Sequence, residues 1–446
     1  MTQKNDSIFF ATHNEKKLLF FILLVSFLIR LILAFFIQAP LRSDSSDYQA
    51  LGMDLLNGKY SLDGHPTAYV GPGYPFFLSG IYFLFGEGQF YVKLIQSLLE
   101  VVTGYYFYGI SKNFFSVSGS FLSLILFSFF PSNIIFSQAV LSETLFGFFS
   151  ILIFYLVLKK NFDQRKALIF FTGILFGYAV LIRTAYIASV ILIPLYLLFF
   201  REDLSGKRIL RASVFNTVIF LTGFIIVTAP WSIRNKIEIG TYSLGTTAGV
   251  NFWAGSNENS TGTYYGDLVS TLPVNSGSEA EKNNGYFKLG LNYALDNPGK
   301  YMLLGIKKLG YLFSSERMAV IYFSEPLNGE TSTQVYKKAN LLLILSVNLP
   351  YFFIMLFGTW GIAAFKKKYF FFYGFILMWL LTIFLFVGLA RYHYVLIPFF
   401  ILGTVKFLIE RKDIFKTISL PKKVLAGCAN LFMAGVWISE FYLLVK

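Results

Sequence analysis

Eleven stretches of this chain are apolar over lengths near the thickness of a bilayer: residues 18–37, 91–111, 118–137, 142–158, 168–182, 185–200, 212–231, 340–364, 369–389, 392–409 and 424–444. A span needs about 20 apolar residues, so the pattern predicts an all-α polytopic membrane protein with about 11 transmembrane helices. The cations between these stretches are unevenly shared. Lys112; Lys159, Lys160, Arg165 and Lys166; Arg201, Lys207, Arg208 and Arg211; Lys366, Lys367 and Lys368; and Arg411, Lys412, Lys416, Lys422 and Lys423 occupy one set of connections, and the alternate turns hold few. Cations collect in short cytoplasmic loops, which places the amino terminus inside and, on eleven spans, the carboxyl terminus outside. The chain then divides into a cytoplasmic amino terminus (1–17), an amino-terminal transmembrane module (18–231) with an extracytoplasmic loop at 38–90, an extracytoplasmic region (232–338) and a carboxyl-terminal transmembrane region (339–446). No small-x-small cleavage site follows the first apolar stretch, so it reads as a membrane helix and not a cleaved signal.

The two outer regions carry weaker patterns. In SDSSDYQALGMDLLNGKY, Tyr48, Leu51 and Leu55 share one helical face with Asp47 and Asp54 at its edge, which predicts a short helix near the bilayer surface. PGYPFFLSGIYFLF is apolar but opens on prolines, and reads as an interfacial or re-entrant helix. Counting it as a full span would invert every later loop and erase the charge bias. The Gly, Asn, Ser and Thr of WSIRNKIEIGTYSLGTTAGVNFWAGSNENSTGTYYGD, residues 231–267, predict an ordered but irregular loop, followed by helices over about 278–297 and 298–313. Asn259 opens an NST glycosylation pattern, a match that chance often supplies.

Composition narrows the class. The 446 residues are 55% hydrophobic, 19% aromatic and only 14% charged, against about 25% charged in soluble chains. The net charge of +14 suggests nucleic acid in a soluble protein, but the cations lie between apolar stretches, so no nucleic-acid partner is expected. The single cysteine, Cys428, excludes an intrachain disulfide. Arg30 stands out, because a charge inside the first apolar stretch is costly unless it faces a polar cavity or snorkels.

The charged residues that remain gather on the predicted outer face. Asp44 and Asp47 follow the first apolar stretch, Glu143 opens another in AVLSETLF, and Arg183 sits in the turn of VLIRTAY. Arg234 lies in APWSIRN and Arg391 in GLARYHYVLIPFF. Arginines hold phosphates through charge-assisted, often bidentate hydrogen bonds, and a carboxylate can take the proton of an attacking hydroxyl. No glycine-rich phosphate loop is present. Plainer roles compete: an interfacial arginine such as Arg234 can meet lipid headgroups, and Asp47 can be a solvated or capping helix residue. His65 and His393 are weak candidates to share a divalent metal with a carboxylate.

DSSDY, TAYVGPGYPFFLSGIYFLFG, LSE, LIRTAY, APWSIRN with GTTAGVNFWAGSNENSTG, and ARYHYVLIP occur in that order. Together the chain resembles bacterial membrane glycosyltransferases of the C fold, in particular protein O-mannosyltransferases and lipid A aminoarabinose transferases (glycosyltransferase family 39/83-like). The resemblance implies transfer of a monosaccharide from a polyprenyl-phosphate donor, with inversion, to an extracytoplasmic glycolipid, lipopolysaccharide, wall polymer or protein. It implies Asp44 as base, with Asp47 as the second candidate, and Glu143 shaping the acceptor site. Arg183 and Arg391 fall near the donor phosphate, and Arg234 with Asn235 position a loop or the carrier. Tyr48, Tyr74 and Tyr392 of the same motifs complete the substrate-binding set. The chain departs from these families in lacking a large soluble carboxyl-terminal domain, a β-trefoil insertion and an adjacent acidic pair in the first loop. A flippase for a lipid-linked sugar is the competing reading, although no internal repeat of the kind transporters carry is visible.

Overall fold

The computed structural model describes residues 12–37, 41, 43–199, 207–264, 277–324, 332–366 and 369–445. Helix α1 (His13–Phe36) starts where the Thr12 hydroxyl accepts the Glu15 amide, satisfying one of the orphan donors of a helix start. α2 (Asp44–Leu55) and α3 (Gly73–Phe85) flank a hairpin pairing Ser61–Leu62 with His65–Pro66. Its two-residue turn is Asp63-Gly64, both at positive φ, as such turns require. α4 (Gln89–Ser111), α5 (Val117–Ser128), α6 (Pro131–Phe136), α7 (Glu143–Val157) and α8 (Lys166–Ile182) follow. A 3-10 segment (Thr184–Ile191) leads into α9 (Leu192–Phe199), then α10 (Lys207–Glu238) and α11 (Thr247–Ala254). α12 (Glu279–Asp296) opens on a capping box between Ser278 and Glu281, and α13 (Pro298–Leu312) starts with proline at its first position. α14 (Arg317–Phe323), α15 (Ser332–Lys338), α16 (Leu341–Ala364) and α17 (Phe370–Leu385) precede the 3-10 segment Ala390–Leu396. α18 (Ile397–Glu410), α19 (Ile414–Thr417) and α20 (Leu420–Val445) end the chain.

The protein is all-α apart from that hairpin among the described residues, but the expectation of about 11 spans is wrong. Five helices are long and apolar enough to cross a membrane: His13–Phe36, Leu210–Glu238, Leu341–Ala364, Ala390–Glu410 and Leu420–Tyr442. They fall on the predicted stretches 18–37, 212–231, 340–364, 392–409 and 424–444. The others fail for identifiable reasons. Pro131 splits 118–137 into a 12-residue and a 6-residue helix, and a 3-10 segment takes half of 185–200. α7, α8 and α17 run 15, 17 and 16 residues, short of a 30 Å hydrocarbon layer at about 1.5 Å per residue. α4 is long enough, but buries Lys93, Gln96, Ser97 and Glu100. Without eleven spans, the parity that put the carboxyl terminus outside no longer follows. Arg201, Lys367 and Lys368 of the charge pattern lie outside the described residues.

Small residues let the helices approach. A Cβ at Gly173 would lie 2.1 Å from the Phe220 carbonyl oxygen of α10, and one at Gly361 would lie 1.7 Å from that of Gly403; close backbone approach of this kind holds helices together in lipid. The Gly-Pro-Gly of the first loop does the same at the end of α8. A Cβ on Gly71 would sit 2.5 Å from the Leu181 carbonyl oxygen, and one on Gly73 would sit 2.6 Å from the Ile182 nitrogen. The loop is therefore seated on the residues just before Arg183. Gly80, in the same helix as Gly73, has open space where a Cβ would go. Gly73→Ala should lower the thermal midpoint of the detergent-solubilised protein, at a cost of about 1–3 kcal/mol. Gly80→Ala should leave it unchanged or raise it; equal midpoints for the two variants would overturn this packing.

Candidate functional site

Four side chains from distant parts of the sequence meet in one alternating array of charge. Asp44 opens α2 behind Ser43, whose φ of 48° is a left-handed backbone that serine rarely adopts. Its Oδ2 pairs with Nη2 of Arg391. Nε of Arg391 lies 3.8 Å from Oε1 of Glu143, and that oxygen accepts Nη2 of Arg183 at 2.5 Å. Glu143 begins α7 and Arg183 ends α8, so each charge complements the dipole of its own helix. The Glu143 side chain is 2% exposed, Arg183 and Arg391 14% and 15%, and Asp44 38%; the array opens outward at Asp44. The Tyr392 ring lies 5.4 Å from the Arg183 guanidinium and 5.8 Å from that of Arg391, within cation–π range of both.

The two aspartates of the first loop have different surroundings. Burial would push the Asp44 carboxyl up, but the charge and hydrogen bond of Arg391, with Arg183 behind them, hold it below its ordinary value. Asp47, one turn on and half-buried, makes no side-chain hydrogen bond or ion pair among the described residues. Burial, then the charges of Asp44 and Asp63, push its carboxyl up.

The other predicted residues divide into those at the array and those that support it. Tyr48 donates to the Ser142 hydroxyl at 3.2 Å and meets Tyr74 edge-on at 4.8 Å. Tyr74 itself is fully buried and donates to Gln96 at 2.8 Å, so it lies beneath the site. Arg234 donates to the carbonyls of Thr67 and Tyr60 at 2.6 and 2.8 Å, and Asn235 to that of Ser243 at 2.8 Å. This pair ties the first loop and the 240s loop to α10. His65 is exposed on the hairpin. His393 is 1% exposed, with Nδ1 2.8 Å from the Leu312 carbonyl oxygen and Nε2 3.2 Å from Glu316. The two histidines do not come together, and no three His, Cys, Asp or Glu residues form a metal-binding group among the described residues.

Three supports escaped the sequence. Glu279 accepts from the Thr67 hydroxyl at 2.8 Å, the Ala68 amide at 2.9 Å and the Thr246 hydroxyl, joining α12 to the first loop. Buried Lys308 donates to the Leu385 carbonyl at 3.0 Å, and burial pulls its ammonium down to about 7; it supports the turn that leads into Arg391. Tyr264 lies close enough to Asp44, Arg391 and Tyr392 to feel their charges, and burial pushes its phenol well up. None of these sits in a pattern whose period or spacing marks it. Glu143→Gln should strip Arg183 of its buried partner and destabilise the protein by roughly 3–5 kcal/mol, seen as a lower unfolding midpoint in detergent; an unchanged midpoint would show that Glu143 does not hold the array.

The family model for dolichyl-phosphate-mannose-protein mannosyltransferase matches residues 65–233, from the hairpin through Arg183 to the residue before Arg234. No curated protein matches the sequence. Among solved structures, the apo oligosaccharyltransferase of Archaeoglobus fulgidus is 13% identical with a TM-score of 0.52, covering 98% of this chain and 56% of that one. The archaeal oligosaccharyltransferase AglB from the same organism, in complex with an inhibitory peptide and a dolichol-phosphate, is 15% identical with a TM-score of 0.46, over 97% and 56%. The S. cerevisiae protein O-mannosyltransferase Pmt1-Pmt2 complex bound to the sugar donor is 17% identical with a TM-score of 0.39, over 56% and 37%. This chain thus spans about half the length of the archaeal proteins and about a third of the yeast one. At such identities the likeness is one of fold, shared with the apo archaeal enzyme.

Proposed function

We propose that this protein transfers a monosaccharide from a polyprenyl-phosphate carrier to a hydroxyl-bearing acceptor at the extracytoplasmic face of the membrane. The observation that carries the reading is the Asp44–Arg391–Glu143–Arg183 array with Asp47 beside it, unpaired among the described residues. The two carboxylates balance the two guanidiniums, and the outermost link, Arg391 to Asp44, is the most exposed. A phosphate oxygen is chemically equivalent to that carboxylate as an acceptor of Arg391. The donor phosphodiester takes that place, and the charge developing on the leaving phosphate is stabilised by both arginines. Asp47 serves as base: burial and the charges of Asp44 and Asp63 raise its carboxyl, which makes it the better proton acceptor. The acceptor oxygen attacks the anomeric carbon, its proton passes to Asp47, and the bond from that carbon to the phosphate oxygen breaks with its electron pair. The anomeric centre inverts in this single step.

The cations in the connections 159–166 and 411–423 support this orientation, since they follow the ends of α7 and α18 opposite to Glu143 and Arg391. The matched family description and the shared fold support the donor class; glycolipid, lipopolysaccharide, wall polymer and protein all fit as acceptors by their hydroxyls.

The test is transfer of radiolabelled sugar from purified polyprenyl-phosphate monosaccharides to native membrane acceptors. Asp47→Asn should cut turnover by about 100-fold or more, as loss of a general base does, while carrier binding persists. Full activity in that variant would return the role of base to Asp44, and a product of retained configuration would sink the one-step mechanism. Movement of unaltered carrier across vesicles, without transfer from any donor, would make the protein a flippase. The pH profile supplies a second test. A base acts ionised, so turnover falls as pH drops through the raised Asp47 value. Exposed Asp63 contributes to raising that value, so Asp63→Asn should move the acidic limb to lower pH and leave the plateau intact. An unmoved limb would separate it from Asp47.

A further inference from the structure

Arg30 and Glu100 take no part in the transfer just described, yet both are almost completely buried. Arg30 is 0% and Glu100 2% exposed, on α1 and α4, within a helical bundle built for a membrane. Nη1 of Arg30 donates to the Ser26 carbonyl at 3.1 Å, the Ser26 hydroxyl at 2.6 Å and the Ser128 carbonyl at 3.0 Å. Its Nε and Nη2 have no protein acceptor, and Oε1 of Glu100 has no protein donor. The carboxylate that the Arg30 charge feels is Glu100, although the two do not close to ion-pair distance among the described residues.

Glu100 belongs to a longer pattern. Lys93, Gln96, Ser97 and Glu100 follow the i, i+3, i+4, i+7 spacing of one helix face, and all are 2% exposed or less. Each holds a different part of the site. Lys93 donates to the Ile37 carbonyl just past α1. Gln96 accepts Tyr74 of the first loop and donates to the carbonyls of Ser137 and Ala139 at 3.2 and 2.7 Å. Ser97 accepts Gln138 at 3.2 Å. Glu100 accepts the Tyr394 hydroxyl at 3.3 Å. Tyr394 stands three residues after Arg391 in a 3-10 segment, where side chains at that spacing eclipse. Its ring fills the notch at Gly147 of α7, where a Cβ would lie 3.0 Å from Cε1, one turn on from Glu143.

We propose that buried Glu100, in the field of the buried Arg30, fixes the Tyr394 hydroxyl and, through Tyr394, sets Arg391 against Asp44 and Glu143. Both are positioning residues, and the proposal rests on the transfer reading because Arg391 is its donor-phosphate ligand. The rest of the buried face of α4 registers the first loop and the segment before Glu143 on the same helix.

The experiment measures KM and kcat for a polyprenyl-phosphate monosaccharide in detergent. Tyr394→Phe keeps the ring and removes only the hydroxyl, so the fold survives it. It should raise the donor KM by about tenfold, the loss of one buried hydrogen bond, with kcat nearly unchanged. Glu100→Gln should match it, and the Tyr394→Phe/Glu100→Gln double variant should be no worse than either alone. Arg30→Lys should retain the wild-type KM and Arg30→Met should not. Unchanged KM in Tyr394→Phe, additive effects in the double variant, or equal behaviour of Arg30→Lys and Arg30→Met would overturn the positioning role while transfer by the wild type stands. A wild type that neither transfers nor binds any polyprenyl phosphate would overturn the transfer reading, and this inference with it.

Discussion

A carboxylate buried among apolar helices must be paired, because the cost of desolvating it alone exceeds what packing returns. Glu143 meets that requirement with two arginines, Arg183 at 2.5 Å and Arg391 at 3.8 Å. The rest of the site follows from this arrangement. Two cations around one anion leave a positive excess, which Asp44 neutralises from the first loop. α2, the start of α7, the end of α8 and the 3-10 segment at 390–396 are therefore drawn together by charge as well as by packing. Of the two carboxylates, Asp44 is the more exposed, at 38% against 2% for Glu143.

Backbone contacts make that convergence possible. The first loop approaches the end of α8 only because Gly71 and Gly73 present no Cβ to Leu181 and Ile182. Arg234 and Glu279 then satisfy the loop's carbonyls, amides and hydroxyls from two other helices. A loop with its polar groups so engaged behaves as part of the scaffold, and this is how Asp44, at the start of a short helix in that loop, acquires a defined partner. The neighbouring Asp47 has no such partner among the described residues, and burial with the charges of Asp44 and Asp63 pushes its carboxyl up where Arg391 holds that of Asp44 down.

α4, α7 and α8 carry charged and supporting side chains of the site, whereas the long apolar helices α1 and α20 expose broad hydrophobic faces, among them Phe20, Phe21, Leu431 and Ile438. Polar side chains can face the interior of α4 because its neighbours supply a partner for nearly every one, turning a costly face into a ruler for three separate segments.

Much of this was legible in the sequence. Apolar runs broken by cations identify a membrane protein, since nothing else accommodates so much exposed hydrocarbon. A charge within or beside such a run is expensive enough to stand out alone, so Asp44, Glu143, Arg183 and Arg391 could be named without a structure. The number of spans could not, because run length does not register the break at Pro131, the 3-10 turn after Arg183 or the buried polar face of α4. Nor could the roles of similar residues be separated. Tyr74 and His393 resemble site residues by motif but turn inward, toward Gln96 and Glu316, and Arg234 spends its hydrogen bonds on loop carbonyls. Residue type and spacing determine where charge must be accommodated. Which partner accommodates it depends on contacts between positions as distant as Asp44 and Arg391, or Arg30 and Glu100, and only the tertiary structure brings those together.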